Sequence, residues 1–276
     1  HAAEKANEVF PDRPNRCIVF EGNAPASLTT NGPLRALLES PASSPPTAVP
    51  MWLGDAVAIK DPTLVGLRRQ AGGNLVVIGQ QDEHALATMS ACLIAAAASH
   101  PADSIRFVVL DGTPADDPNA GYLERLATSL QRECRCPGFR EAGDAVIEIA
   151  TVIAKRIESG ATDQPAIVLL VHGLQRFRSL RRDDDDFGFS MDADAPITAD
   201  KAFGQLIKEG PEFGIFTLIW CDTVPSLERS VDRQGMRGFD HRAMFQVSST
   251  DSSTMIDSPA AANLGGSRGL LYSEER

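Results

Sequence analysis

Short runs of Val, Ile and Leu alternate with longer amphipathic or alanine-rich stretches along most of this chain. The runs at 74–78, 105–110, 167–171, 215–220, 243–247 and 269–272 predict strands, and the stretches at 85–98, 122–130, 144–157 and 199–208 predict helices. Strands that are apolar at every position, and not only at every second one, are buried on both faces. Separated by helices, they predict an α/β architecture: a mostly parallel sheet with helices packed on both faces.

The first part of the chain is less regular. An expected strand at 17–21 and a short helix at 31–38 lead into Pro41-Ala42-Ser43-Ser44-Pro45-Pro46-Thr47, which holds too much proline for either element. Apolar segments at 51–53 and 56–59, joined across Gly54-Asp55, predict a hairpin. The expected division is an N-terminal arm or linker over 1–48 and one domain over 49–276.

With 276 residues and 43% hydrophobic content, the chain can build one large domain with a real core. Its net charge of −11 argues against a free-standing nucleic-acid binder, which presents a basic face. Cys17, Cys92, Cys134, Cys136 and Cys221 are scattered and mostly inside apolar runs, as expected of reduced core residues. Cys134-Arg135-Cys136 lacks the spacer and the second ligand pair of a zinc site, so no metal is expected there. No apolar run approaches the roughly 20 residues of a membrane-spanning helix and no charged-then-apolar leader opens the chain, so a cytoplasmic location is expected. His1 stands where a methionine would, which points to a processed chain or a piece of a longer polypeptide.

The most informative segment lies between the strand at 74–78 and the helix at 85–98. Gly79 is followed by Gln80-Gln81-Asp82-Glu83-His84, then Ala85 and Leu86. A phosphate-binding loop has the pattern G-x-x-x-x-G-K-[ST]: glycines admit the phosphates to backbone amides, the lysine reaches the outer phosphates, and the hydroxyl holds magnesium. Aligned on Gly79, His84 falls at the second glycine, Ala85 at the lysine and Leu86 at the hydroxyl. The setting of the loop is present and its reactive side chains are absent.

Four later segments resemble, in order, the FtsK/SpoIIIE/HerA group of RecA-like motor ATPases. F-V-V-L-D at 107–111 matches a strand that ends in an acidic residue. P-A-I-V-L-L-V-H-G-L at 165–174 is similar to the family's P-x-I-V-V-I-I-D-E-L, and G-I-F-T-L-I-W-C-D-T-V-P-S at 214–226 to G-I-H-L-I-x-A-T-Q-R-P-S with one extra residue. R-A-M-F-Q-V-S-S-T-D-S-S-T-M-I-D at 242–257 and G-L-L-Y at 269–272 are similar to the family's closing R-x-x-F-x-V-S-S-x-x-D-S-R-T-I-L-D and G-D-M-L-Y. The resemblance implies a three-layer αβα RecA-like P-loop NTPase fold.

The departures fall on the residues that act on ATP in that family. His172 and Gly173 replace the carboxylate pair that organises magnesium and water, and Asp222 stands where a glutamine senses the terminal phosphate. With the lysine and the hydroxyl also gone, turnover is not expected, since one electrostatic contributor alone is worth on the order of 10² to 10³ in rate. The vestigial nucleotide site would comprise Gly79, Gln80, Gln81, Asp82, Glu83, His84, Ala85 and Leu86 with Asp111, His172 and Asp222, and no catalytic residue. Asp82 and Glu83 are expected to cap the helix amides and repel a triphosphate, leaving the loop without a cofactor; as ordinary first-turn acids they would allow weak anion binding.

Other features have plainer readings. His172 has no visible nucleophile or metal beside it and is expected to be structural. The serines around 248–253 lack a nucleophile-elbow pattern and are expected to cap a helix. Arg176, Arg178, Arg181 and Arg182 run into four aspartates at 183–186 and then Phe187, Phe189 and Met191, either a self-paired surface loop or a docking element.

The reading as a whole is a degenerate FtsK-like domain, as in the tandem-ATPase chains of type VII secretion motors. It would act as a structural, regulatory or partner-binding module, with adjacent ATPase domains of the same polypeptide or ring as partners and a protein partner in the vestigial pocket. Two alternatives stay open: an active DNA translocase using ATP and magnesium, and a nucleic-acid-binding module in which Arg68 and Arg69 or the Arg176 cluster meet DNA.

Overall fold

A computed structural model describes residues 25–40, 42–57, 61–160, 163–183 and 197–274. The expected strand at 17–21, Cys17 and the aromatic segment with Phe187, Phe189 and Met191 lie outside the described residues.

In chain order the elements are α1 (Gly32–Glu39), β1 (Val49–Gly54), β2 (Thr63–Leu67), β3 (Leu75–Ile78), α2 (Asp82–Ala98), β4 (Ile105–Asp111), α3 (Tyr122–Ser129) and β5 (Glu133–Arg135). There follow α4 (Ala142–Ser159), β6 (Ala166–His172), α5 (Ala199–Glu209), β7 (Ile215–Cys221), α6 (Val224–Glu228), β8 (His241–Met244), α7 (Ser249–Ile256) and β9 (Leu270–Ser273).

Seven strands form one sheet in the order β5-β4-β6-β7-β3-β8-β9, parallel throughout except for β9, which runs antiparallel to β8. β6 and β7 are buried at every position, as their unbroken apolar runs predict. Alternate residues serve two cores. Leu75, Val77, Phe107, Val168 and Leu170 pack under α2 and α3; Val76, Ile78, Leu169, Val171 and Ile219 pack under α4, α5, α6 and α7. The chain thus has the expected αβα layering.

Because β7 lies between β3 and β6, the chain leaving β3 crosses two strands before it re-enters the sheet at β4. Neighbouring strands at such a reversal open a crevice at their C-terminal ends. The base of β3 is fastened by Asn74, which is fully buried. Its amide donates to the Ile207 and Gly238 carbonyls at 2.9 and 2.7 Å and its oxygen accepts from the Thr217 amide at 2.7 Å.

α2 is apolar on nearly all sides, so a single sheet contact cannot cover it. The β1–β2 hairpin covers its outer face, through Val49, Met51, Val65 and Leu67. Leu34 of α1 closes the top against Trp52 and Ala95.

The hairpin differs from the expected one. Its second strand is β2, with Val49 opposite Leu67 and Met51 opposite Val65; of the expected segment at 56–59, positions 58 and 59 lie outside the described residues. Val57 is 67% exposed, whereas Leu67 is fully buried. The local run Ala56-Val57 matched a strand pattern, but only the later segment supplies the alternation that α2 requires. β5 is a further strand that the sequence did not announce. At the other end, Ser248 caps α7 as expected, its hydroxyl accepting from the Asp251 amide at 3.0 Å.

Candidate functional site

The crevice at the ends of β4, β6, β7 and β3 collects most of the residues singled out in the sequence. Alternation along each strand places Asp111, His172 and Trp220 on the face that carries α2, and Gly79 leaves β3 beside them.

Gly79 has φ +147°, and a Cβ there would lie 2.7 Å from Cβ of Phe245. Glycine is therefore required by backbone conformation and by packing, irrespective of any phosphate. Its carbonyl accepts the indole N–H of Trp220 at 2.9 Å and its amide donates to the Cys221 carbonyl at 3.2 Å. The loop is tied to β7 by its own backbone.

Beyond the loop, α2 begins at Asp82. Ala85 is fully buried and Leu86 nearly so, packed into the core under α2. Apolar atoms thus occupy the positions where a phosphate-binding helix holds its lysine and hydroxyl. Gln80 and Glu83 are exposed, and His84 turns away from the crevice toward Phe245, ring centroids 5.9 Å apart.

The expected self-capping by Asp82 and Glu83 is not what the geometry shows. Gln81 occupies the cap position with no side-chain hydrogen bond, and its buried Oε1 has no partner among the described residues. Asp82 instead faces outward and pairs with Arg176, Nη2 to Oδ2 at 3.1 Å. Facing Arg176, the carboxylate still meets the positive end of the helix dipole.

Arg176 lies in the first turn after β6. Its Nη1 donates to the Gly112 carbonyl at 2.9 Å and its guanidinium carbon lies 6.0 Å from the Trp220 ring centroid. One cation is thereby held by β4, β7 and the N-terminus of α2 together.

At the end of β4, the Asp111 carboxylate accepts the Thr113 amide at 2.9 Å and its hydroxyl at 2.6 Å. His172 Nδ1 lies 3.5 Å from the same oxygen and 3.4 Å from the Thr113 hydroxyl. Since that hydroxyl spends its proton on Asp111, the network assigns the proton to Nδ1. Burial alone would raise the Asp111 pKa, but hydrogen bonds from His172 and Thr113 outweigh it and hold the carboxyl below its ordinary value. The His172 ring stacks on Trp220, centroids 4.6 Å apart, with Nε2 buried and unpartnered among the described residues.

Asp222 stands apart from this network. Its carboxylate takes the Thr223 hydroxyl at 3.2 Å and the Cys221 thiol at 3.8 Å, both chain neighbours. The residues that sequence reasoning missed here are Trp220 and, as part of the crevice, Arg176. A lone tryptophan ending an Ile/Leu strand was the only local sign of the first.

Three further arginines of the two sequence clusters are tied down within the chain. Arg181 donates to the Gln175 carbonyl at 2.7 Å, Arg182 to the Glu228 carbonyl at 3.2 Å and Arg69 to the Gln164 carbonyl at 2.5 Å. The thiols of Cys92 and Cys221 are buried, and burial pushes both up, that of Cys221 to about 12. Cys134 and Cys136 are half-buried, their sulfurs 3.9 Å apart. Among the described residues no helix is long and apolar enough to cross a membrane.

No protein-family model matches this sequence, and no curated protein matches it. Solved structures do. The cytoplasmic domain of the Thermomonospora curvata type VII secretion ATPase EccC aligns with a TM-score of 0.63 at 14% identity, over 93% of this chain and 31% of that one. EssC (ATPases 2 and 3) from Geobacillus thermodenitrificans aligns with a TM-score of 0.59 at 12% identity, over 94% of this chain and 46% of that one. T. curvata EccC (ATPases 2 and 3) in complex with a signal sequence peptide aligns with a TM-score of 0.55 at 13% identity, over 85% and 45%. This chain spans a third to a half of those polypeptides. The motif resemblance and the structural likeness agree on the fold, that of FtsK/SpoIIIE-type P-loop ATPase domains.

Proposed function

We propose that this chain is a catalytically silent FtsK-like domain, a structural, regulatory or partner-binding module of a larger translocating motor, working beside other ATPase domains. The observation that carries this reading is the Arg176–Asp82 pair across the mouth of a loop whose lysine and hydroxyl positions are the buried Ala85 and Leu86. A triphosphate would have to displace that pair, meet the Asp82 carboxylate and do without a lysine. Hydrolysis would further need a carboxylate to orient water at the end of β6, where His172 instead stacks on Trp220.

Titration calorimetry with MgATP and a phosphate-release assay, with and without duplex DNA, test the reading. No saturable binding below millimolar nucleotide and no release above the blank are expected. Micromolar binding, or hydrolysis abolished by substituting Gly79 or Asp111, would overturn it and favour the DNA translocase. The arginine clusters give the nucleic-acid alternative less support, because Arg69, Arg176, Arg181 and Arg182 each spend guanidinium protons within the chain.

For partner binding there is specific support beside α2. A cleft of about 660 Å³ is lined by Trp52, His84, Tyr122, Phe245 and Leu271, with both apolar and hydrogen-bonding groups. It flanks the vestigial loop and shares only His84 with it. T. curvata EccC (ATPases 2 and 3), to which this chain is structurally similar over 45% of that polypeptide, is in complex with a signal sequence peptide, which makes a peptide the first partner to test.

A further inference from the structure

At the opposite end of the sheet, a cavity of about 290 Å³ opens between the starts of β4 and β6 and the last turns of α4. Val152 and Ile167 line its apolar part; Arg106, Lys155, Arg156, Ser159 and Gln164 are its polar wall. Three cations around one small cavity are unexpected in a chain of net charge −11.

Arg156 is the buried member, 7% exposed. Its Nη1 donates to the Phe213 carbonyl and its Nη2 to the Pro165 carbonyl at 2.7 Å, while its Nε–H has no acceptor among the described residues. A buried donor without an acceptor is costly, more so when it carries charge. Burial first, and then the neighbouring charges of Arg69 and Arg106, together lower the Arg156 pKa to about 10. Arg106 and Lys155 stand at the exposed rim, and Glu133 engages Arg106 Nε from outside at 3.0 Å.

Basic residues near a helix C-terminus are favourable by themselves, which accounts for Lys155 and Arg156. It does not account for the orphaned Nε–H of Arg156, and Arg106, on a strand, meets Glu133 through its Nε. An anion satisfies the first and gives the second a further partner. We infer that this cavity binds a small oxyanion of the phosphate class, contacted by Arg156 at its floor and by Lys155 and Arg106 at its rim. Guanidinium groups match the geometry of such an anion.

The test uses inorganic phosphate as the probe, by calorimetry and thermal melting, against chloride at equal ionic strength. Saturable binding and a phosphate-specific rise in melting temperature are expected. Lys155→Glu should weaken binding at least about tenfold, whereas Lys208→Glu, the same charge change at the exposed end of α5, should alter it by less than about twofold. Urea melts of both variants establish that they fold. Equal effects of phosphate and chloride, or equal loss in the two lysine variants, would overturn the inference. So would loss of binding in Arg176→Ala, which would place the anion in the crevice at the other end of the sheet.

Discussion

Arg176 Nη2 and Asp82 Oδ2 meet at 3.1 Å although 94 residues separate them in sequence. The pair bridges the first turn after β6 to the first turn of α2 and stands where a phosphate would approach the helix.

The side chains of Arg176 and Asp82 are 29% and 48% exposed, so their mutual attraction is largely screened. A double-mutant cycle with Arg176→Ala and Asp82→Ala, followed by urea melts, is expected to give a coupling of about 0.2–1 kcal/mol. Arg176→Ala alone should cost more, about 1–3 kcal/mol, because the Gly112 carbonyl loses its donor and Trp220 its cation. An Arg176→Ala chain as stable as the parent would show that the guanidinium does not hold the crevice together.

Building phosphate-loop side chains into positions 85 and 86 should damage the fold before it supports any reaction. Ala85 is fully buried, so Ala85→Lys places an ammonium among apolar side chains and is expected to lower stability by at least about 2 kcal/mol. Ala85→Lys with Leu86→Ser should still release no phosphate from MgATP, since His172, Gly173 and Asp222 are unchanged. Hydrolysis by that double variant would mean that the replaced acids are dispensable.

At Gly79 both conformation and space forbid a side chain. Gly79→Ala is expected to cost about 1–3 kcal/mol in chemical denaturation, from its φ of +147° and the Phe245 contact. Adding Phe245→Ala should recover only the steric part. A Gly79→Ala protein with parental stability would contradict the loop geometry.

Asp111 makes stability depend on pH in the acid range. Its folded pKa lies below the usual value of about 3.9, so its contribution is complete above that value and is lost as pH falls through the folded one. The parent should therefore exceed Asp111→Asn in stability at pH 6, and the gap should close below about pH 4. A gap independent of pH would assign the effect to packing and not to the carboxylate charge.

Much of the sheet was legible because strands buried on both faces leave unbroken apolar runs, as in β6 and β7. The hairpin was less so. Val57 and Val65 look alike in a local window, yet one is 67% exposed and the other 4%. What separates them is the outer face of α2, which no local pattern contains. β5 is short, and its exposed Glu133 and Arg135 hide it for a similar reason.

The chemistry of the crevice divides along the same line. Residue identities by themselves determined that Ala85, Leu86, His172 and Asp222 cannot supply the lysine, hydroxyl, carboxylate and glutamine of the phosphate-loop motif they were aligned with, because a side chain's functional group is visible without coordinates. Only the tertiary structure decided what occupies their place: Arg176 on Asp82, Trp220 on the Gly79 carbonyl, and His172 stacked between Asp111 and Trp220. Those partners come from strands and turns far apart in sequence, and their energies depend on distances that folding alone creates.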